Sequence, residues 1–402
     1  MTTQGHVPCR TQVLRRDLAG GEQAVVTRVV EPADARSLAE ALGELAAHPT
    51  VRSVLMLGCC GDGWSPAVLG RALGSVSVPV LGGLFPGIVV DGAPRRSGTL
   101  LIGLPAEARV STLALDGSRE LRLPAFAASP GSGPDGAATS VRTALVFADA
   151  CSERVSGAVE AIFDALGTSC SYLGGGTGHR DLTPAPSVIA DGELHEGVAV
   201  VAVLSAAAHI GVAHGWLPVG PHLPVTAATG RWIHELDGRP AAATYREVVR
   251  EHTGGEGTTV PLEQLGRWYP LGIARVGAEP VVRDLVEERD GSLACIADVP
   301  AGCYVRILHG DRASLLDGAR RVGEVTRAAL EREGGRGQVL LMDCVSRVDD
   351  LGDRFVEELE AIDIGRPLVG ALTIGEIANG RDRVLDFYNK TVVLGVIGSD
   401  DG

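Results

Sequence analysis

Apolar and polar positions divide the chain into short strand-like runs punctuated by glycine, with helical periodicity between them. Residues 339–342 (VLLM) form an apolar run of buried-strand type that gives way abruptly to Asp343, Cys344, Ser346 and Arg347. Over residues 353–362 apolar positions recur at Phe355, Val356, Leu359 and Ile362, which predicts a helix face. A second apolar run, 367–372, ends in Thr373-Ile374-Gly375-Glu376. Residues 384–396 predict a further strand, interrupted by Tyr388-Asn389-Lys390.

This strand–helix–strand pattern occurs twice more. Residues 53–60 (SVLMLGCC) lead through a helix-like stretch to 78–87 (VPVLGGLFPG). Residues 143–151 (TALVFADAC) lead through a helix over 155–166 to 171–178 (SYLGGGTG). The offsets from strand-end cysteine to second-strand glycine are 22 (Cys60 to Gly82), 23 (Cys151 to Gly174) and 26 (Cys344 to Gly370). A repeat of this length implies duplicated strand–helix–strand modules.

The remaining pattern is read more coarsely. Residues 1–30 predict a lead-in strand pair, 31–47 a helix, and 97–104 and 110–115 strands; 128–139 is a Gly/Pro/Ser-rich loop. A meander follows over 186–191, 197–206 and 209–216. Alternation over 224–237 ends in an Asp237-Gly238 hairpin turn, and a helix runs from 240 to about 251. Residues 252–257 (HTGGEG) divide the chain. Beyond them lie strands at 269–276, 281–284 and 293–299, then a helix over 314–333 with Val322, Val325 and Leu330 on one face. The expected class is α/β, with the duplicated modules forming two mixed-sheet halves.

Composition narrows the function classes. A chain of 402 residues implies two or three domains, and 45% hydrophobic with only 4% aromatic residues implies cores of Ala, Val and Leu. A net charge of −14, with no basic run longer than an arginine pair, argues against a nucleic-acid partner. No window offers eighteen or so uninterrupted apolar residues and the N-terminus lacks a signal-peptide core, so no membrane partner and a cytoplasmic location are expected. Eight cysteines without a CxxC pair suit neither a disulfide scaffold nor a structural zinc site, and no metal is expected.

The candidate chemistry gathers at strand ends, where open α/β sheets place ligands. Cys344, beside Arg347, reads either as a thiolate nucleophile held by a guanidinium or helix N-terminus, or as a small buried hydrophobe. Arg347 offers a planar fork to a ligand carboxylate or phosphate, or a salt bridge to Asp343, Asp349 or Asp350. Glu376 suits a ligand amine or general-base work; with Arg347 it would match a zwitterion such as an amino acid, unless the two pair with each other. Asn389 would orient a polar ligand group or close a buried bulge. His214, before Gly215-Trp216, reads as an axial haem ligand, a general base or a structural donor; His209 falls on the opposite strand face. The glycines from Gly174 and Gly175 through Gly178 fit neither the dinucleotide fingerprint nor the P-loop and read as a tight turn or pocket wall.

Several runs together resemble a known family. His214-Gly215-Trp216-Leu217-Pro218-Val219-Gly220, Val225-Thr226 and Glu235-Leu236-Asp237-Gly238-Arg239-Pro240-Ala241 are similar to the amino-terminal half of the FIST sensory domain. Tyr269-Pro270-Leu271-Gly272-Ile273, Val299-Pro300-Ala301-Gly302, Cys344-Val345-Ser346-Arg347, Gly375-Glu376-Ile377 and Asn389-Lys390-Thr391 are similar to its carboxy-terminal half. The resemblance spans about 25–398 and implies an N-terminal-like domain over 25–251 and a C-terminal-like domain over 258–398. It implies a module for small molecules such as amino acids, found alone or joined to histidine kinases, cyclases or F-box proteins, with haem and nitric oxide sensing in some members. The expectation is a small-molecule sensor without a resident cofactor, haem being the exception if His214 takes it. Its pocket would lie between the halves and its output would pass to a separate protein such as a histidine kinase. An enzyme using Cys344 as nucleophile on an amino-acid or acyl substrate is the alternative. One stretch departs from the family pattern: Leu84-Phe85-Pro86-Gly87 stands where a Ser/Thr-rich turn is expected.

Overall fold

Three times the chain lays down two parallel strands joined by a helical crossover. The pairs are Ser53–Cys59 with Val80–Phe85, Arg142–Asp149 with Cys170–Thr177, and Gln338–Cys344 with Gly370–Thr373. They are the three modules expected from the repeat, in a computed structural model that describes residues 12–14, 27–30, 34–74, 76–117, 142–255, 260–332, 334, 337–366, 368–380 and 383–398. The 128–139 loop, Pro367, part of the 252–257 divide and much of the lead-in lie outside those residues. The spacing glycines occupy one place in the repeat: Gly82, Gly174 and Gly370 pair with Met56, Val146 and Leu341. A Cβ on them would come 2.0, 1.7 and 1.9 Å from the paired residue's carbonyl oxygen, so only glycine lets the strands close.

The modules are locked together by exchange. Each second strand is followed by a hairpin: Gly87–Val90 with Ala93–Arg95, Val188–Ala190 with Glu193–His195, and Glu376–Asn379 with Leu385–Tyr388. None of these hairpins pairs with its own module's second strand. The second module's hairpin pairs with the first module's second strand, the third's with the second's, and the first's with the third's. Each second strand would otherwise be an open edge, and the cyclic exchange covers all three. On the other side, each first strand pairs antiparallel with its module's third strand: Thr99–Leu104, Val198–Leu204 and Val392–Ile397. A strand from outside the module then completes the sheet, namely Thr27–Val30, Ala108–Ala114 and Ala208–Ala213 respectively. Gln12–Leu14 pairs with Thr27–Val30, as the lead-in pair anticipated. The class is α/β with mixed sheets; two of the three module sheets draw strands from both halves of the chain.

Strand alternation decides which core each side chain joins. Leu55, Leu57, Leu145, Phe147, Leu340 and Met342 enter one core shared by the three modules, where Phe85 and Phe147 meet edge to face at 5.9 Å. Their neighbours face outward under helices: Val54 and Met56 under Ala35–Ala46 and Pro66–Leu73, Ala144 and Val146 under Val155–Leu166, and Val339 and Leu341 under Arg312–Arg332 and Phe355–Ala361. Burial on both faces explains why these strands read as continuous apolar runs. Between Ala208–Ala213 and Arg312–Arg332 is inserted a separate antiparallel sheet, from the long strand Leu217–Thr229 to Tyr304–His309. Its Asp237-Gly238 turn has both residues at positive φ, as the hairpin reading requires.

Four expectations change. The glycine run is not a turn: Gly174, Gly175 and Gly176 lie inside the strand Cys170–Thr177, because neighbours on both sides leave no space for side chains there. The 384–396 strand is two strands in different sheets, Leu385–Tyr388 and Val392–Ile397, separated by a bend with Lys390 at φ 52°. Residues 345–361 split into Val345–Leu351, a 3-10 turn and Phe355–Ala361; Val356 points to solvent while Glu358 takes the buried face. On Arg312–Arg332, Val322 and Leu330 are buried but Val325 is 39% exposed.

Candidate functional site

The third module's strand ends hold a cluster of polar side chains that the protein itself has closed. Cys344 ends the first strand and caps the helix Val345–Leu351; Glu376 opens the hairpin; Asn389 and Lys390 form the bend before the third strand. Arg347 and Glu376 are both 0% exposed.

Arg347 is saturated. Nε donates to Glu358 Oε1 at 2.7 Å, and Nη2 lies 2.6 Å from the same oxygen. Nη1 donates to the carbonyls of His214 (2.6 Å) and Lys390 (3.1 Å), and Nη2 to Leu315 (3.2 Å). Five N–H groups meet five acceptor contacts, so none is left for a ligand carboxylate. Among the anticipated acids only Asp343 is near, at 3.7 Å; the main partner, Glu358, lay unrecognised on the next helix. Burial works against the guanidinium, but the charges of Glu358 and Asp343 prevail and hold its pKa up. Burial, then the Glu358 charge, raises Asp343 strongly, and neither of its oxygens has a hydrogen-bond partner. One cation thus stands among two buried carboxyls, and burial raises both of them, Glu358 being the one hydrogen-bonded to the guanidinium.

Glu376 pairs with Thr373 and Thr391 instead of Arg347. Thr373 Oγ1 donates to Oε1 at 2.7 Å and the Thr391 N–H to Oε2 at 3.2 Å. The repeat explains the second bond. In every module the residue before the third strand gives its N–H to a carboxylate: Gly98 to Asp62 (2.8 Å), Gly197 to Asp149 (2.7 Å) and Thr391 to Glu376. Burial pushes Glu376 up to about 8. Thr373 likewise has a counterpart in Thr177, each hydroxyl lying beside a carbonyl of the facing strand (Asp343 at 3.3 Å, Ala148 at 3.2 Å), whereas the first module has Phe85. The departure at residues 84–87 therefore removes one hydroxyl from the threefold pattern.

Cys344 Sγ sits 3.0 Å from Ser346 Oγ, and burial, then the Glu376 charge, pushes its pKa up to about 12. At neutral pH it is a thiol. Asn389 Oδ1 accepts from the Asp284 N–H (3.2 Å) while Nδ2 donates to the Tyr388 carbonyl (3.1 Å). It pins the bend to the inserted sheet. Lys390, which the sequence reading passed over, is also buried: Nζ is 3.1 Å from Asp350 and 3.6 Å from Asp284, over the Trp216 ring. Gly175 pairs with Glu376, and Gly174 with Ile377, so these glycines are the seam on which the third hairpin rests.

His214 Nδ1 accepts from the Trp216 N–H at 2.9 Å and Nε2 faces the Glu279 carboxylate at 3.4 Å. Burial lowers its pKa to about 4, so the ring is neutral. An axial ligand needs a nitrogen open to a porphyrin face; with one nitrogen bonded and a carboxylate at the other, this histidine does not fit haem. Among the described residues no group of three or more His, Cys, Asp or Glu could hold a metal ion, and no helix is long and apolar enough to cross a membrane.

Comparison with known proteins gives a consistent picture. Residues 32–239 match the FIST N domain and residues 241–379 the FIST C domain. The junction at 239–241 falls inside the inserted sheet, and Arg347 in the second match grips the His214 carbonyl in the first. No curated protein matches the chain. Two adjoining matches that cover most of the chain establish that it belongs to the FIST family.

Proposed function

We propose that this protein works by binding a small molecule, as a sensory module whose output passes to a separate signalling protein such as a histidine kinase. FIST domains are associated with sensory signal transduction and small-ligand binding. The observation that favours binding over catalysis is the state of Cys344. It is buried, hydrogen-bonded to Ser346 and a neutral thiol, beside a carboxyl that is itself raised to about 8. A nucleophile needs a thiolate and an open path to its substrate; here the thiol is neutral and 4% exposed, and Glu376 beside it is 0% exposed. Arg347, Glu376 and His214 then belong to the frame that joins the FIST N and FIST C matches, while Asn389 ties the bend to the inserted sheet. An amino acid or similar zwitterion remains the ligand class to screen first, received elsewhere than at the Arg347 fork.

The test is a thermal-shift screen of amino acids and related zwitterions on wild type and Cys344→Ser, with mass analysis of each ligand after incubation. The expected result is the same stabilisation in both proteins with the ligand unchanged. Conversion of the ligand by wild type, lost in Cys344→Ser, would replace the sensor with the enzyme.

A further inference from the structure

The threefold repeat creates the same cleft at successive module junctions, and two can be compared side by side. One lies between the first and second modules, where the turn Asp191-Gly192 meets Pro79 and Val110. The other lies between the second and third, where Asn379-Gly380 meets Ser171 and Ile210. The positions correspond: Pro79 and Ser171 each precede the module glycine (Gly82, Gly174) by three residues. Asp191 and Asn379 each lie two residues past the partner of the module glycine (Ile189 of Gly82, Ile377 of Gly174), and Val110 and Ile210 each stand third in the outer strand. Their linings differ in charge. The first cleft, about 280 Å³, is lined by Leu73, Val76, Val78 and other apolar groups, with an acid at its turn. The second, about 190 Å³, replaces that acid by an amide and adds Arg332, Arg383, His209 and Thr326.

We propose that this second cleft is a binding site for a small anion presenting a carboxylate or phosphate group, held by Arg332, Arg383, Asn379 and Thr326. Each arginine is anchored through Nε to a backbone carbonyl, Arg332 to Ala328 (3.1 Å) and Arg383 to Thr168 (2.8 Å). Among the described residues no carboxylate pairs with either guanidinium. The anchors fix the stems and leave terminal N–H groups for an oxyanion. Thr326 supplies the independent observation: the residue lines the cleft, is 2% exposed, and its Oγ1 has no hydrogen-bond partner. A mid-helix threonine normally bonds back to its own helix, so a buried unpaired hydroxyl costs stability unless something else occupies it. Gly211, opposite, leaves unfilled the position from which a Cβ would meet Oγ1 in van der Waals contact at 3.6 Å. Asn379 Oδ1 is committed to the Tyr172 N–H at 2.7 Å, which turns its amide as a donor away from that bond. The cleft adjoins the carboxyl end of Arg312–Arg332, whose partial negative charge opposes an anion. The Arg332 Nε on the Ala328 carbonyl offsets it. The volume suits a metabolite of a few heavy atoms rather than a nucleotide.

This inference rests on the binding-module reading and gives it a place and a ligand charge. The experiment is isothermal titration calorimetry of the full chain with inorganic phosphate and, separately, succinate, at constant ionic strength with chloride as control. Saturable binding of at least one is expected, and the responding probe identifies the oxyanion. The double variant Arg332→Gln/Arg383→Gln should lose about tenfold or more in affinity, because each removes a charge-assisted bond. Thr326→Val, of matching shape, should weaken binding severalfold while folding unchanged. No saturable binding of either anion to wild type, or equal affinity in the double variant, would overturn the proposal. A zwitterion that stabilises the double variant as well as wild type would also overturn it, while leaving the binding-module reading intact.

Discussion

Arg347→Ala removes the donor of five contacts that tie the FIST C match to the His214 carbonyl of the FIST N match and to its own surroundings. Glu358, 0% exposed, loses its counter-charge, and the carbonyls of His214, Leu315 and Lys390 lose a cationic donor. Breaking one side of a buried ion pair costs about 3–5 kcal/mol, and each stranded acceptor adds to it less than additively. The expected loss is therefore at least about 4 kcal/mol, a large share of the roughly 5–15 kcal/mol that holds a typical domain. Arg347→Lys keeps the charge but cannot span four acceptors, and should lose about 2 kcal/mol. Arg347→Met/Glu358→Leu removes both charges and should recover at least about 1.5 kcal/mol relative to Arg347→Ala. Urea unfolding followed by tryptophan fluorescence reads this directly, since Trp216 Nε1 donates to the Lys390 carbonyl at the same joint. An alanine variant within about 1 kcal/mol of wild type, or a double variant no better than the single, would refute the argument. Intact stability with lost ligand response would restore Arg347 as a ligand fork.

Three further outcomes follow from the same geometry. Because burial raises Glu376 from 4.5 to about 8, the folded state holds its proton after the unfolded chain has released it. Stability should fall as pH rises between those values, by up to about 1.4 kcal/mol per pH unit for this group, and Glu376→Gln should flatten that slope in urea titrations at stepped pH. Gly174→Ala drives a Cβ to 1.7 Å from the Val146 oxygen and should cost at least about 3 kcal/mol. Gly43→Ala, in the open on the helix Ala35–Ala46, should instead gain about 0.5–1 kcal/mol; thermal melts of the pair check both signs. Iodoacetamide at pH 8 should leave Cys344 unmodified until urea unfolds the chain, as read by peptide mass mapping; rapid native labelling of Cys344 would contradict its neutral, closed state.

The modules were legible in the sequence because strand-end polarity and the spacing of Gly82, Gly174 and Gly370 record a local constraint, the close pairing of two parallel strands. The exchange of hairpins was not. Alternation tells which face of a strand is buried but not which strand lies beside it, and Glu376 pairs with Gly175, some two hundred residues away. The family resemblance and the residues of the cluster were also legible, but their roles were not. Charge type alone suggested that Arg347 and Glu376 face a common ligand; burial and competition decide otherwise, with Glu358 claiming one and Thr373 and Thr391 the other. The visible signal for Glu358 was a charge on a buried helix face, three residues after Phe355. Lys390 was hidden in plain view between Asn389 and Thr391, because only the tertiary bend shows it inside the protein.

The central claim is binding without covalent chemistry, and native mass spectrometry of the purified full chain and of Cys344→Ser tests it most directly. After incubation with small amino acids and anionic metabolites, the account expects one small adduct, equal in both proteins and released intact on denaturation. An adduct that survives denaturation in wild type and is missing from Cys344→Ser would contradict it.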